Sequence, residues 1–163
     1  MRAVSNTSPV SNLAIIGRLD LLQERYASLT IPTEVLRELR ALSHVAAREA
    51  IEAALRQGWL RAETLPIPNE YELLRTSLDA GEAQAIALAI ATSADVLLID
   101  ERRGREKARD HGLKVAGVLG ELLYAKYSGL IPSVRTEVER LRTEAYFFIH
   151  ADIEAFILAQ AGE

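Results

Sequence analysis

The sequence predicts a three-layer α/β/α fold, with helices on both faces of a mostly parallel central sheet. Two observations carry this prediction: short apolar runs alternate with longer segments of helical periodicity, and residues 96–99 are four consecutive apolar residues. Alternating strands and helices are typical of βαβ units, and an all-apolar strand is typical of a parallel strand buried on both faces. The 163 residues are 49% hydrophobic and 26% charged, which favours a single domain over residues 1–163.

The expected strands are short and separated by helical segments. They cover residues 3–4, 28–31, 96–99 and 113–115. Pro32 closes the second run. The fourth run is the weakest, because only three residues carry it. This spacing, with a helix between successive strands, is what a parallel sheet requires.

The expected helices are defined by apolar spacing and by their terminal residues. They begin at Ser8 and after Pro32, and continue over residues 45–57, 73–78, 81–92, 119–127, 133–144 and 151–161. Ser8 has the character of an N-cap because a proline follows it at the first helical position. Gly58 is the expected C-cap residue of the third helix, and Asp79 is the expected N-cap of the helix over residues 81–92.

The ends and connections of the chain exclude several classes of protein. The proline cluster over residues 65–69 is a short connection rather than a domain boundary, and the polar residues 5–9 do not form a signal peptide. The weakly polar stretch 83–91 is far shorter than the roughly 18 residues of a membrane span. The absence of cysteine excludes disulfides, thiolate zinc sites and cysteine nucleophiles. We expect a cytoplasmic protein without a membrane partner.

Charge is unevenly distributed along the chain. The formal net charge of -4 argues against a protein held on nucleic acid by its overall charge. Five cations nevertheless fall within residues 102–109, and Arg102, Arg103 and Arg105 are candidate contacts to the phosphate groups of a polyanion. The alternative is a solvated helix face in which Arg102 pairs with Glu106.

Acidic and amide side chains occupy the positions that follow the expected strands. Asn6 follows the first strand, Asp100 and Glu101 follow residues 96–99, and Glu38 and Glu82 lie near the starts of helices. The carboxyl ends of parallel strands form the usual ligand site of an open α/β sheet. Several carboxylates at one edge require a cation to remain ionised, and oxygen ligands without histidine or cysteine suit Mg²⁺ or Mn²⁺. Phosphodiester cleavage is the reaction that follows.

A simpler interpretation remains open for the two glutamates. Glu38 and Glu82 lie in the first two turns of helices, where a carboxylate is stabilised by the helix dipole without any catalytic role. Asp100 is harder to explain in this way, because an acid that ends an apolar strand has to be hydrated, to cap a helix or to bind a ligand.

Four segments together resemble the PIN domains, the fold of VapC-type toxin ribonucleases. They are VSNTSP at residues 4–9 with SNL at 11–13, IPTEVLREL at 31–39, LDAGEAQAIALA at 78–89, and the apolar run 96–99 with DERRGR at 100–105. The segments occur in order, and the similarity extends from residue 3 to about 130. The tail is similar to the same branch of the family, a group of nucleic-acid-binding proteins of uncharacterised function.

The resemblance implies a PIN-like fold, with the C-terminal helices of residues 133–163 packed on the domain or at a subunit interface. It implies that Glu38, Glu82 and Asp100 are catalytic. The implied metal ligands are Asn6, Glu38, Glu82, Asp100 and, in support, Glu101. Ser8 stands where family members often place a hydroxyl that orients the first acid or the metal shell.

Asn6 departs from the family pattern, which usually has an aspartate at this position. An amide oxygen can coordinate Mg²⁺, but it brings no charge and therefore weakens metal binding. The sequence does not distinguish a natural asparagine from an inactivating substitution.

The function implied by the resemblance is endonucleolytic cleavage of single-stranded RNA. The protein would then be the toxin of a type II toxin–antitoxin system, a homodimer inhibited by a small cognate antitoxin. The alternative is a catalytically weak PIN-like module that binds RNA or a partner protein, and Asn6 favours it. A response-regulator phosphoacceptor and a D-x-D-x-T phosphatase are excluded because both need an acidic residue where Asn6 stands.

Overall fold

The computed structural model describes residues 1–65 and 69–163. Its strands are β1 (Ala3–Ser5), β2 (Leu29–Pro32), β3 (Leu60–Glu63), β4 (Val96–Leu98) and β5 (Val115–Ala116). Its helices are α1 (Thr7–Ile15), α2 (Asp20–Tyr26), α3 (Thr33–Arg40), α4 (Val45–Gln57), α5 (Asn69–Leu74), α6 (Ala80–Ala91), α7 (Arg102–Asp110), α8 (Val118–Tyr127), α9 (Val134–Glu144) and α10 (Ala151–Gln160).

The described strands form one sheet in the order β3-β2-β1-β4-β5, and every neighbouring pair is parallel. In the central pair, Val4 of β1 aligns with Leu97 of β4. The change in chain order at the β1–β4 pair is the place where ligands bind in open parallel sheets. The predicted α/β class with a mostly parallel sheet is confirmed.

Apolar cores lie on both faces of the sheet, as a three-layer fold requires. Leu98 of β4 belongs to the core that contains α1 and α8, whereas Leu97 and Ile99 belong to the core that contains α6. Successive residues of a strand point to opposite faces, so a strand between two helix layers has to be apolar at each position. This explains the apolar run at residues 96–99.

Two elements were not predicted from the sequence. β3 is an edge strand in which only the first residue, Leu60, is buried, so it carries no alternating apolar pattern. α2 has seven residues and begins after Leu19, whose side chain makes no capping hydrogen bond. Neither element therefore had a strong local signal.

Two predictions about helix ends need correction. The N-cap of α1 is Asn6 rather than Ser8, because the helix begins directly at Thr7. The helix expected over residues 73–78 lies earlier, at Asn69–Leu74. Most of the proline connection falls outside the described residues. Gly58, with φ of 82°, and Asp79 cap their helices as predicted.

The C-terminal helices pack on α8 and α1. Val138 and Leu141 of α9, and Ile157 and Leu158 of α10, are buried in the core that contains α8. Glu163 accepts a hydrogen bond from the Val134 backbone N–H at 2.7 Å and so caps α9. Among the described helices, none has the length and apolar character needed to span a bilayer.

Candidate functional site

A cavity of about 620 Å³ opens at the carboxyl edge of the sheet, where α1, α3, α6 and α7 meet. Seven of the nine residues predicted for the site line it: Asn6, Ser8, Glu38, Glu82, Glu101, Arg102 and Arg103. Asp100 and Arg105 do not line it. The strand-end rule therefore located the cavity correctly, but two side chains have other roles.

Asn6 lies at the end of β1 and forms the N-cap position of α1. Its backbone N–H donates to Leu98 O at 2.9 Å, which holds the residue at the β1–β4 junction. Its side chain is buried and makes no capping bond to the helix, and none of the residues that the structure describes donates a hydrogen bond to its Oδ1. A buried acceptor without a donor is costly, so this oxygen is available to an electrophilic ligand in the cavity.

Glu38 lies in the second turn of α3 and reaches across the cavity to α1 and α6. Its Oε2 accepts a hydrogen bond from the Thr7 hydroxyl. Its Oε1 lies against Gly81, where a Cβ atom would be only 2.6 Å from that oxygen. The carboxylate is therefore held between the first turns of two helices, at their positive ends.

Glu82 is buried in the first turn of α6 and forms a capping box with Asp79. The Glu82 backbone N–H donates to Asp79 Oδ1 at 2.8 Å, and the Asp79 N–H donates to Glu82 Oε2 at 3.3 Å. Burial raises the pKa of Glu82 to about 7, and the negative charges of Asp79 and Glu101 add to the effect. A cation bound in the cavity would stabilise the ionised form of such a carboxylate.

Asp100 follows β4 and turns away from the cavity. Its Oδ2 accepts from the Ser8 hydroxyl at 2.7 Å, and its Oδ1 accepts from the Val118 backbone N–H at 2.7 Å. It therefore caps α8, whose own N-cap residue is Gly117. Burial raises the pKa of Asp100, although the two hydrogen bonds lower it in part. Within the described residues, its carboxylate acts as a support rather than as a cavity wall.

Ser8 joins this support to α1. Its oxygen accepts a hydrogen bond from Asn12 Nδ2 at 2.9 Å while its hydroxyl donates to Asp100. The serine predicted to orient the site therefore holds Asp100.

The three predicted arginines have different surroundings. Arg102 is exposed and pairs with Glu106 at 2.9 Å, as the sequence suggested, but it also lines the cavity with Arg103. Arg105 turns inward, and its Nη1 donates to Ile99 O at 2.9 Å. Burial lowers the pKa of Arg105. Two cations therefore border the carboxylates, and the third stabilises the end of β4.

The donor set at the cavity suits a divalent cation, although the described carboxylates do not form a closed cluster. Over residues 1–65 and 69–163, no three Asp, Glu or His side chains converge tightly enough to hold a metal ion by themselves. Glu38, Glu82 and Asp100 each accept a hydrogen bond from a protein donor instead. The unpartnered Asn6 Oδ1 on the same cavity wall as Glu38 and Glu82 fits a hard cation that retains several waters.

Thr7, Ser11, Ser77 and Asp79 also line the cavity and were not predicted as site residues. Thr7 and Ser11 lie within the segments that carry the family resemblance, so their polarity next to Asn6 was a usable signal. Asp79 was recognised only as a helix cap. Its place on the cavity wall follows from its position one turn before Glu82.

Comparisons with known proteins agree with this architecture. The model of the family DUF3368, described as a PIN domain, matches residues 2–163. No curated protein sequence matches the chain.

Among solved structures, the chain is similar to a PilT N-terminus domain protein from the archaeon Sulfolobus solfataricus P2. The TM-score is 0.52 and the identity 19%, over 77% of this chain and 93% of that chain. At this identity the similarity shows a shared fold. A domain of a functionally unknown protein from Methanocaldococcus jannaschii DSM 2661 aligns with a TM-score of 0.45 and 20% identity, over 71% of this chain and 89% of that one.

Proposed function

Because the chain belongs to the PIN-domain family, whose DUF3368 model it matches over residues 2–163, we propose that it is an endoribonuclease dependent on Mg²⁺ or Mn²⁺. PIN domains are generally metal-dependent nucleases. The single observation that carries the proposal in this chain is the buried, unpartnered Asn6 Oδ1 on a cavity wall shared with Glu38 and Glu82. The proposed substrate is single-stranded RNA.

Asn6, Glu38 and Glu82 are the residues proposed to hold the cation, with Glu101 at the rim. A bound divalent cation would activate a water and stabilise the leaving oxygen of a phosphodiester. Thr7 orients Glu38 through its hydroxyl, and the Asp79 N–H orients Glu82. These bonds reduce the reorganisation needed when the carboxylates bind a ligand.

The other half of the site is cationic. Arg102 and Arg103 lie in the first turn of α7, on the wall of the same cavity. Arginine binds phosphate oxygens in a planar, bidentate geometry. We assign these two side chains to the RNA backbone on either side of the bond to be cleaved.

Asp100, Ser8 and Arg105 maintain the geometry around the site in this proposal. Asp100 connects β4 to the starts of α1 and α8. Arg105 donates a hydrogen bond to the backbone carbonyl of Ile99, the residue before Asp100. Asp100 is therefore a positioning residue, in contrast to the metal ligand that the family resemblance implied.

The biological role we propose is that of a toxin in a type II toxin–antitoxin system, acting as a homodimer. The resemblance to VapC-type proteins supports this role. The inhibitor would be a small antitoxin that covers the cavity, and a basic segment would complement Glu38, Glu82 and Glu101. Copurification of the chain with a small protein encoded next to its gene tests this part of the proposal.

A second candidate function is a PIN-like module that binds RNA or a partner without efficient cleavage. Asn6 favours it, because the cavity has one charge fewer than four acidic ligands would give. Both candidate functions use the same arginines to bind RNA, so a binding measurement does not distinguish them. A cleavage measurement does distinguish them.

The deciding experiment is cleavage of single-stranded RNA with Mn²⁺, with excess EDTA and with two variants. Glu38→Gln removes the negative charge of a proposed ligand, and Glu24→Gln is the matched control on the exposed side of α2. We expect cleavage that EDTA abolishes, that Glu38→Gln reduces by at least tenfold, and that Glu24→Gln leaves unchanged. Cleavage that persists in EDTA contradicts the mechanism. Binding without any cleavage favours the second candidate.

A further inference from the structure

Gly81 makes an unusually close approach to a carboxylate of the site. A Cβ atom at this position would lie 2.6 Å from Glu38 Oε1 and 3.2 Å from both the Cδ and Oε2 atoms of that side chain. At distances this short, a side chain at residue 81 would require the Glu38 carboxylate to shift. Glu38 is also one of the residues that line the cavity.

The backbone at Gly81 gives no reason for a glycine. The residue is buried in the first turn of α6, where its φ is not in the left-handed region and where any L-residue fits the helix. Glycine is one of the poorest helix formers, and alanine is the best. A glycine at this position therefore needs a packing explanation, and the Glu38 carboxylate provides it.

The two oxygens of Glu38 have separate neighbours. Oε2 accepts the hydrogen bond of the Thr7 hydroxyl, and Oε1 lies against Gly81. A methyl group at residue 81 has to displace the carboxylate, because the end of a glutamate side chain moves more easily than the helix. That displacement moves Oε1 and changes the geometry of the hydrogen bond between Oε2 and the Thr7 hydroxyl.

We propose that Gly81 is a positioning residue: because it has no side chain, the Glu38 carboxylate can lie against the first turn of α6, on the cavity wall that it shares with Asn6. The proposal rests on the proposed function in one respect: the position matters for binding a divalent cation. Its structural part, the link from Gly81 through Glu38 to Thr7, is independent of any cation.

The chain provides a matched control in Gly120. It also lies in the first turn of a helix, α8, and a Cβ atom there meets nothing within 4 Å. Gly120→Ala and Gly81→Ala therefore make the same chemical change in the first turn of a helix. Gly120 is exposed, and only Gly81→Ala brings a methyl group against a carboxylate.

The first measurement uses the metal-free protein. Thr7→Val removes the hydroxyl that Glu38 accepts from, and we expect it to lower the thermal midpoint by about 2–4 °C in the wild-type and Gly120→Ala backgrounds. In the Gly81→Ala background we expect the displaced carboxylate to have a weaker hydrogen bond to Thr7 already, so the same substitution should lower the midpoint by less than half as much. An equal loss in all three backgrounds overturns the proposal.

The second measurement is Mn²⁺ binding followed by electron paramagnetic resonance. We expect Gly81→Ala to raise the Mn²⁺ dissociation constant by about tenfold to a hundredfold, as displaced supporting groups do, with a thermal midpoint no lower than that of the wild type. Gly120→Ala should bind as the wild type does. In a Glu38→Ala background, Gly81→Ala should raise the Mn²⁺ dissociation constant by less than about a further twofold, because the glycine acts through Glu38.

The two measurements separate the inference from the proposed function. If the wild type binds no Mn²⁺ while the Thr7 effect depends on Gly81, the metal function fails and the positioning role stands. If the wild type binds Mn²⁺ and Gly81→Ala binds it equally well, the inference is overturned and the metal function stands. A loss of binding that is equal with and without Glu38 also overturns the inference.

Discussion

The Ser8 hydroxyl donates a hydrogen bond of 2.7 Å to Asp100 Oδ2, across 92 residues of sequence. The bond connects the first turn of α1 with the end of β4, and the other oxygen of the same carboxylate caps α8 at Val118. The starts of two helices are thus fixed to one strand end beside the cavity. This arrangement gives Asp100 a supporting role in the geometry of the site.

Replacing Ser8 tests that role. Ser8→Ala leaves a partly buried carboxylate without one of its two donors, and we expect a loss of about 1–3 kcal/mol in the free energy of unfolding. Ser8→Thr retains the hydroxyl and should recover most of the loss. Urea unfolding measures both variants. Equal stability of Ser8→Ala and the wild type would contradict the assignment of Asp100 as a positioning residue.

The amide at residue 6 is expected to limit metal affinity. Asn6→Asp adds a charge at the buried Oδ1 position, so it should bind Mn²⁺ more tightly and cleave RNA faster. Without metal the added carboxylate is unneutralised, and the thermal midpoint should fall. Titration and thermal unfolding with and without Mn²⁺ measure the two effects. Identical Mn²⁺ binding by both forms would remove Asn6 from the site.

The arginines on the cavity wall should determine the salt dependence of RNA binding. Each phosphate contact contributes about 0.7 to the slope of log affinity against log salt for a single strand, so replacing both Arg102 and Arg103 by Ala should reduce the slope by about twice that amount. The pair Lys107→Ala and Arg109→Ala is the control, because both residues lie on α7 away from the cavity lining. An unchanged slope for the first pair would contradict a role in phosphate binding.

A buried acid away from the cavity gives a pH-dependent prediction. Glu121 accepts hydrogen bonds from the Tyr26 hydroxyl at 2.7 Å and pairs with Arg25 at 3.0 Å. Burial nevertheless raises the pKa of Glu121, and the nearby charge of Asp100 adds to this effect. The folded state therefore favours the protonated acid. That stabilisation is complete below the unfolded pKa and is lost as pH rises through the folded pKa.

Glu121→Gln mimics the protonated acid and lacks this titration. The stability of the wild type relative to Glu121→Gln should therefore decrease as the pH rises above about 4, the ordinary pKa of a glutamate. Groups that titrate in both proteins cancel in the difference. Urea unfolding across this range measures it, and a difference that increases with pH would show that the pairing with Arg25 outweighs burial.

The sequence was sufficient to predict the parallel sheet and most of the cavity wall. Asn6, Glu38 and Glu82 share the cavity because the carboxyl ends of parallel strands and the starts of the packed helices meet at one edge. That rule is topological and needs no distances. It could not predict β3, whose exposed edge position leaves only Leu60 buried.

The orientation of individual side chains was beyond the sequence. Asp100 turns towards Ser8 and Val118, and Arg105 turns towards the backbone of Ile99, because partners distant in sequence are available there. The sequence pattern, an acid at a strand end followed by an arginine-rich helix, predicts a charged site. It does not indicate whether the side chains of Asp100 and Arg105 face the cavity. The close approach of Gly81 to Glu38 likewise exists only once α3 and α6 have packed.

The measurement that tests the central claim most directly is the stoichiometry and affinity of Mn²⁺ binding to the wild type, Glu38→Gln and Glu24→Gln, by electron paramagnetic resonance. If Asn6, Glu38 and Glu82 hold the cation, we expect one Mn²⁺ per chain for the wild type and for Glu24→Gln. The affinity of Glu38→Gln for Mn²⁺ should be at least tenfold lower. Equal Mn²⁺ binding by all three proteins, or no binding by the wild type, would contradict the claim.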